Sequence, residues 1–335
     1  MSTADEPSAT TGTQSAPVGV AVGVVIRSDG RFLLAQRPAG KPMTGYWEFP
    51  GGKLEPHESV IEALHREFQE ELGIQIEKAR PWAIREFVYP HATVCLHFWK
   101  VLAWQGEPQP LEGQALRWES LENLTVEPWL PGALPLKRWL ALPAIYAISQ
   151  ASELGVERFL ECLDERARCG EIGLLQLREK ELDAPEFARL FGQVMKRAHQ
   201  YGFKLLVNSV HPESYWTEAH GVHLTSAALH SRSQRPDVQW CAASCHAQAD
   251  LIKAAAIGAD FAVLGPVGAT PSHPDARPLG WEAFENLCRH TPLPVYALGG
   301  MTRADLECAQ RVGAQGVALM RAIWPTEPEV SHIER

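Results

Sequence analysis

The sequence predicts an α/β chain of two consecutive units, a mixed α/β front unit followed by a parallel (β/α)8 barrel. Three observations predict it. The chain has 335 residues, and at about 150 residues per domain that leaves room for two cores. Before about residue 143, irregularly spaced apolar strands surround one long amphipathic helix. From Ala144 onward, eight short apolar runs alternate with helix-like stretches. An open doubly wound sheet fits that alternation too, but a count of eight favours closure into a barrel.

Each element has its own signal. Residues 1–17 are Ser, Thr, Ala and Pro with two acids, lacking a basic start or an apolar stretch. They read as a disordered tail, assigned to residues 1–16, and not as a secretory signal. Residues 18–26, rich in Val, read as a buried strand, and 32–35 as a second. Trp47 to Lys53 is a strand end followed by a glycine turn. Residues 59–72 read as a helix, with Ser59 as N-cap, Glu62 closing a capping box and Gly73 stopping it. Residues 94–103 and 116–118 are further strands, and 128–143 carry a short helix and the passage into the second unit. The eight later strands fall at residues 145–148, 173–178, 204–208, 221–224, 240–246, 261–267, 295–299 and 316–320. Helical stretches at 156–167, 185–201, 248–257 and 303–312 lie between them. The front unit is assigned to 17–141 and the barrel to 142–328.

Composition excludes several classes of function. Lys and Arg total 31 against 40 Asp and Glu, a net charge of −9, which argues against a protein held on duplex nucleic acid by electrostatics. A free nucleotide remains open, because a bound metal carries positive charge locally. No apolar run approaches the roughly 18 to 20 residues of a spanning helix, so no membrane is expected. The seven cysteines are odd in number and lack zinc-knuckle spacing; they read as reduced thiols of a cytoplasmic protein.

Residues 52–74, GKLEPHESVIEALHREFQEELGI, carry the first chemistry. On a helix Glu67, Glu70 and Glu71 lie at i, i+3 and i+4 and share a face. Val60, Ile61, Leu64 and Phe68 line the face to be buried. Three crowded carboxylates repel one another, and a hard divalent cation with oxygen ligands compensates them. Gly51 and Gly52 let the backbone turn tightly beside that face. An acidic solvated face is the bland reading of three acids alone. The whole string, however, resembles the signature of the Nudix hydrolases, and every fixed position is filled. The resemblance implies an α/β/α sandwich and hydrolysis of a nucleoside diphosphate linked to another moiety. It implies Glu67, Glu70 and Glu71 as ligands of Mg2+, with Mn2+ as the alternative, Arg66 orienting the carboxylates and Glu58 assisting the metal shell. Glu67 would serve as base and Glu70 as a further catalytic acid group.

Arg37, Trp47 to Lys53 and Leu111-Glu112-Gly113-Gln114 are similar to segments of the MutT-type Nudix subfamily, the 8-oxo-dGTP diphosphatases, whose role is sanitation of the nucleotide pool. That resemblance implies Glu112 as a further metal ligand, with Glu107 and Glu119 as nearby competitors. It implies Arg37, Phe49, Gly51, Gly52 and Lys53 around a nucleoside triphosphate. The subfamily's late loop carries an Asn that reads the oxidised base; the aligned residues 126–132 here have none, which leaves the base preference open.

In the barrel, period two sends Gln176, Arg178 and Lys180 to one side. Asn208, His223, Ser244, His246, Gly265, Thr270, Gly299 and Gly300 fall near the C-terminal strand ends, the active face of such barrels. Glycine amides after late strands suit a phosphate. Each residue alone reads as barrel filler; together they resemble the thiamine phosphate synthase and thiazole tautomerase (TenI) family over about residues 142–325. The resemblance implies a TIM barrel that takes thiazole or pyrimidine phosphates. Gln176, Arg178, Lys180, Asn208, Ser244, Thr270, Gly299 and Gly300 would form the phosphate-ligand site, and His246 matches the tautomerase base. Three departures count against synthase activity: Ser209 and Ala227 or Ala228 stand where the synthase has Asp, and His273 where it has Lys. The expected function is therefore Mg2+-dependent hydrolysis of 8-oxo-dGTP or a related triphosphate to monophosphate and pyrophosphate. The alternatives are cleavage of thiamine diphosphate or a pyrimidine diphosphate, with the barrel a tautomerase or a phosphate-binding module.

Overall fold

The computed structural model describes residues 16–270 and 277–324. The expected tail, apart from Ala16, and His273 lie outside the described residues.

The front unit comprises β1 (Val18–Val25), β2 (Phe32–Gln36), β3 (Trp47–Glu48), β4 (Gly51–Lys53), α1 (Val60–Leu72), β5 (Gln75–Tyr89), β6 (Ala92–Gln105), β7 (Leu116–Glu119) and the single-turn α2 (Leu136–Trp139). A four-stranded mixed sheet runs β4-β1-β6-β5, and a three-stranded antiparallel sheet runs β3-β2-β7. The β1–β6 pair is parallel, Val18 opposite Val94. Leu64, Phe68 and Leu72 of α1 pack on Ala21, Val25, Leu33 and Val101, closing one face of the sheet. On the opposite face Trp139 of α2 meets Trp82 and Phe98 edge-on at 5.8 and 6.1 Å.

The strand β5 is longer than any sequence signal suggested. Its run of charges carries Pro81, which removes a ladder donor and is tolerated at a sheet edge. The register against β6 slips around Lys78 and Pro81, so the alternation that betrays a strand is broken there.

The second unit alternates β8 (Ile145–Ile148), α3 (Ala151–Leu154), α4 (Val156–Arg168), β9 (Leu174–Leu177), α5 (Ala184–Tyr201), β10 (Lys204–Asn208), α6 (Glu213–Glu218), β11 (Gly221–Leu224), α7 (Ser226–Ser231), β12 (Trp240–Cys245), α8 (Gln248–Ala256), β13 (Phe261–Leu264), α9 (Gly280–Cys288), β14 (Val295–Ala297), α10 (Leu306–Arg311) and β15 (Gly316–Leu319). The eight strands β8 to β15 close into a parallel barrel, which removes the doubly wound alternative. Tyr146, Leu174, Leu206, Phe261 and Tyr296 fill its interior.

The units meet along β5 and β6. The Ile84 amide donates to the Thr291 carbonyl at 3.0 Å. Gln315 is buried at the seam: its Oε1 accepts from Trp82 Nε1 at 2.9 Å and Lys100 Nζ at 2.8 Å. Its Nε2 donates to the Leu142 carbonyl at 2.6 Å. Lys100 is buried over the Trp82 ring, 3.9 Å from its centroid, and burial holds its pKa well below the usual lysine value, with Arg80 adding to the effect. All seven cysteines are free thiols.

Candidate functional site

The acidic helix of the front unit is placed by its caps. Ser59 accepts from the Glu62 amide while Glu62 reaches back to the Ser59 amide, and Gly73 ends the helix in the left-handed region at φ 65°. This capping box fixes the rotation of α1, and two of its acids then meet the glycine turn. A Cβ on Gly52 would sit 2.0 Å from the Glu67 carboxylate carbon, so only glycine lets that carboxylate lie on the β4 backbone. Gly51, at φ 143°, has its own Cβ direction filled by the Ala21 carbonyl. Its amide donates to Glu71 Oε2 at 3.4 Å.

One guanidinium organises three of the acids. Arg66 forks Glu58 through Nε and Nη2, both at 2.9 Å. Its Nη1 donates to Glu67 at 2.8 Å and to Glu70 at 3.5 Å, and Nη2 also donates to the Lys53 carbonyl at 3.0 Å. The Arg66 fork, followed by the Glu55 amide, holds the Glu58 carboxyl below the usual range, and Arg66 is itself held firmly protonated by Glu58 and Glu67. Glu70 is largely exposed, whereas Glu71 is mostly buried. Burial first, then the charges of Glu67 and Glu112, push the Glu71 pKa up to about 7.

Glu112 lies next to Glu71 because Gln114 donates from Nε2 to the Glu71 carbonyl at 2.9 Å and accepts the Glu112 amide at 2.9 Å. Lys41 pairs with Glu112 at 2.7 Å. The competitors stand elsewhere. Glu119 is buried and accepts from the Thr125 amide and hydroxyl, both at 2.6 Å, while Glu107 is exposed beyond β6. A small cleft is lined by Lys41, Glu48, Phe49, Gly51, Glu71 and Glu112. Arg37 borders it through a pair with Glu48 at 2.7 Å. Phe49 contributes from a buried aromatic cluster, 5.6 Å from Trp129 and 5.9 Å from Phe32.

Among the described residues no three His, Cys, Asp or Glu side chains form a ready-made chelate. Arg66 and Lys41 draw Glu58, Glu67 and Glu112 into ion pairs instead. The donor set nevertheless fits a hard divalent cation: all its candidate ligand atoms are carboxylate oxygens. Glu67 and Glu112 crowd Glu71 in that set, and their charges add to the effect of burial on its carboxyl.

In the barrel, the sequence-derived residues converge. Gln176, Arg178, Lys180, Asn208, Ser244, His246, Thr270, Gly299 and Gly300 all line one cavity of about 550 Å³ at the C-terminal strand ends. Burial lowers the Arg178 pKa, and the Arg178 charge lowers that of Lys180. Glu179 between them points away, accepting from the Ala151 and Ser152 amides at 2.8 Å. Two cations thus share a cavity wall without that carboxylate, an arrangement complementary to an anion. His246 Nδ1 lies 2.6 Å from the Gly265 carbonyl. A carbonyl only accepts, so Nδ1 carries a proton, and in the neutral ring Nε2 is the nitrogen with the lone pair.

A family model described as thiamine monophosphate synthase matches residues 145–323, more than half of the chain, and one described as NUDIX domain matches residues 17–140. The barrel is 34% identical over 181 residues to a putative thiamine-phosphate synthase 2 of Aquifex aeolicus, covering 53% of this chain and 96% of the relative. The front unit is 42% identical over 124 residues to the CTP pyrophosphohydrolase of Escherichia coli, covering 37% of this chain and 92% of the relative. It is also 35% identical over 117 residues to the 8-oxo-dGTP diphosphatase of Escherichia coli, covering 35% and 91%. The chain belongs to the Nudix and thiamine monophosphate synthase families, joined in one polypeptide. The front unit is accordingly a hydrolase acting on diphosphate bonds.

The synthase-family barrel departs from the expected pattern in a structured way. Ser209 Oγ accepts the Thr225 amide at 2.9 Å, and Thr225 caps α7 by accepting from the Ala228 amide at 3.2 Å. The Ser209 and Thr225 hydroxyls thus order the loops that follow β10 and β11. Lys41, Glu48 and Tyr146 were missed by the sequence reading. A lysine and a glutamate outside the signature carry no spacing signal, and a tyrosine within an apolar strand reads as core.

Proposed function

We propose that the front unit is a Mg2+-dependent nucleoside triphosphate pyrophosphohydrolase acting on 8-oxo-dGTP, yielding the monophosphate and pyrophosphate, with a role in nucleotide-pool sanitation in the cytoplasm. The observation that carries the reading is the Glu67 carboxylate seated on Gly52, beside Glu71 on the Gly51 amide. Glu67 and Glu71, with Glu58, Glu70 and Glu112 around them, would hold Mg2+ or Mn2+. When bound, the cation neutralises phosphate oxygens and lowers the pKa of a water. Arg66 keeps the Glu67 carboxylate in place to accept a proton from the attacking water. Lys41 and Arg37 flank the cleft where an anionic substrate enters. Lys53 lends its carbonyl to Arg66 and positions it.

The 42% identity to the CTP pyrophosphohydrolase, together with a residue 126–132 loop that lacks Asn, favours CTP as a second reading of the substrate. The barrel, assigned to 142–328 against 17–141 for the front unit, binds a thiazole or pyrimidine phosphate at Arg178, Lys180 and the Gly299-Gly300 turn. His246 Nε2 is its base, and no synthase activity is expected. The test compares, with Mg2+ and at equal substrate concentration, release of pyrophosphate from 8-oxo-dGTP, dGTP and CTP with release of orthophosphate from thiamine diphosphate. Leadership of 8-oxo-dGTP in kcat/KM by orders of magnitude upholds the first reading. Leadership of CTP upholds the second, and leadership of thiamine diphosphate overturns both.

A further inference from the structure

A continuous line of side chains crosses the barrel interior along the floor of the cavity, and its hydrogen-bond polarity is set from one end. The Val210 amide, which can only donate, bonds Asn208 Oδ1 at 3.1 Å. Asn208 must then turn its Nδ2 to Gln176 Oε1, 2.9 Å away. Gln176 in turn presents Nε2 to Tyr146 Oη at 3.3 Å. Tyr146 is fully buried, and among the described residues its hydroxyl proton has one acceptor left, His223 Nδ1 at 3.1 Å. Leaving that proton unpaired in the core would cost the full desolvation penalty. The imidazole is neutral, because burial depresses its pKa to about 3. Its single proton therefore sits on Nε2, which lies 2.8 Å from Ser244 Oγ.

We infer that this relay locks His223 as the Nε2–H tautomer, so that Ser244 accepts from the histidine and keeps its own hydroxyl proton to offer to the cavity. Two consequences follow for the barrel. His223 cannot take the Ser244 proton, so the pair is a positioning device and not an activated nucleophile. The cavity also receives two opposite polarities from β12 and the residue that follows it. Ser244 offers a donor, and His246 offers an acceptor through Nε2. The matching ligand carries a hydrogen-bond acceptor facing Ser244, and an analogue with a donor there binds more weakly because it gives the Ser244 proton no acceptor. Tyr146, which does not line the cavity, becomes a specificity-determining residue without touching the ligand, acting through His223.

The test has two arms. The first uses the full-length protein without ligand and reads the protonation of the His223 ring nitrogens by long-range 1H–15N spectroscopy, assigned with His223→Gln. The wild type should show Nε2–H, and Tyr146→Phe should populate Nδ1–H, since Ser244 is then free to donate to Nε2. A wild-type Nδ1–H tautomer, or a tautomer indifferent to Tyr146→Phe, overturns the inference. The second arm titrates thiazole phosphate by calorimetry. It rests on the proposed barrel ligand. Ser244→Ala and Tyr146→Phe should each weaken binding roughly tenfold, and the double variant no further. Additive losses overturn the relay. Failure of the wild type to bind thiazole phosphate removes the ligand reading, and the spectroscopic arm still decides the relay. Spectra of Tyr146→Phe that match the wild type outside the barrel interior show that the fold is kept.

Discussion

Replacing Gly52 by Ala separates a chemical role for the Glu67 carboxylate from a structural one. The added Cβ would lie 2.0 Å from the carboxylate carbon and 2.0 Å from Oε1. Carbon atoms rest at about 3.5 Å or more, so the carboxylate must retreat by roughly 1.5 Å. It sits at the far end of a flexible side chain, and the β4 backbone can stay. What is lost in stability is at most the pair with Arg66 at 2.8 Å, a partly exposed pair worth about 1 kcal/mol or less. A misplacement of about 1 Å at a reacting centre costs on the order of a hundredfold, which corresponds to ~2.7 kcal/mol of barrier. Gly52→Ala should therefore lower kcat for pyrophosphate release by a hundredfold or more while Tm moves by a few degrees at most. Gly51→Ala is the control of opposite character. Its Cβ meets the Ala21 carbonyl at 2.1 Å at φ 143°, inside the sheet, where nothing flexible can yield. Its loss should appear as unfolding, about 2 kcal/mol or more. Wild-type kcat in Gly52→Ala would refute the placement of Glu67 in the chemistry.

Three further expectations follow from the same contacts. Glu70→Gln should abolish most hydrolysis with little change in Tm, because Glu70 is exposed and touches Arg66 at 3.5 Å only; unchanged kcat/KM with Mg2+ would remove Glu70 from the cation site. Gln315→Ala strips partners from Trp82, Lys100 and the Leu142 carbonyl at once. At about 1 kcal/mol or more per orphaned group it should lower Tm by several degrees and, in calorimetry, split the melting of the two units. A single unshifted transition would contradict the coupling role of Gln315. His223, with its pKa held at about 3 by burial, should make the barrel acid-labile. Below the ordinary histidine value the unfolded chain binds a proton that the folded chain refuses, so stability falls as pH drops from about 6.5 toward 3, by up to ~1.4 kcal/mol per pH unit. His223→Gln should flatten that slope in urea titrations, and an unchanged slope would rule the histidine out as its source.

The barrel was legible because each of its strands is a short apolar run bounded by turn residues, a local signal; five-residue β10 was read at its observed limits. The α1 capping box was legible for the same reason, its two partners being three residues apart. The strand β5 was not, because Pro81 and the slipped register erase alternation. In the candidate site the shared face of the glutamates was legible from helical spacing and their expected role only from the signature they stand in, while what holds them was half legible. The fork of Arg66 is local, whereas Lys41 meets Glu112 across 71 residues of chain. Tyr146 carried no mark at all: an aromatic in a buried strand looks the same whether its hydroxyl is idle or directs a histidine.

The seam has a consequence for anyone wishing to divide the chain. Trp82, Lys100 and the Ile84 amide end on barrel groups, Gln315 and the Thr291 carbonyl. A cut near residue 141 strands an indole N–H, a lysine amine and an edge-strand amide on the released front piece, beside the Trp82 ring. That exposed rim is a template for self-pairing of sheet edges. Dissecting the roles of the two units is therefore better done by point substitutions in the intact polypeptide than by expressing halves, since clumping of a freed half would masquerade as loss of catalysis.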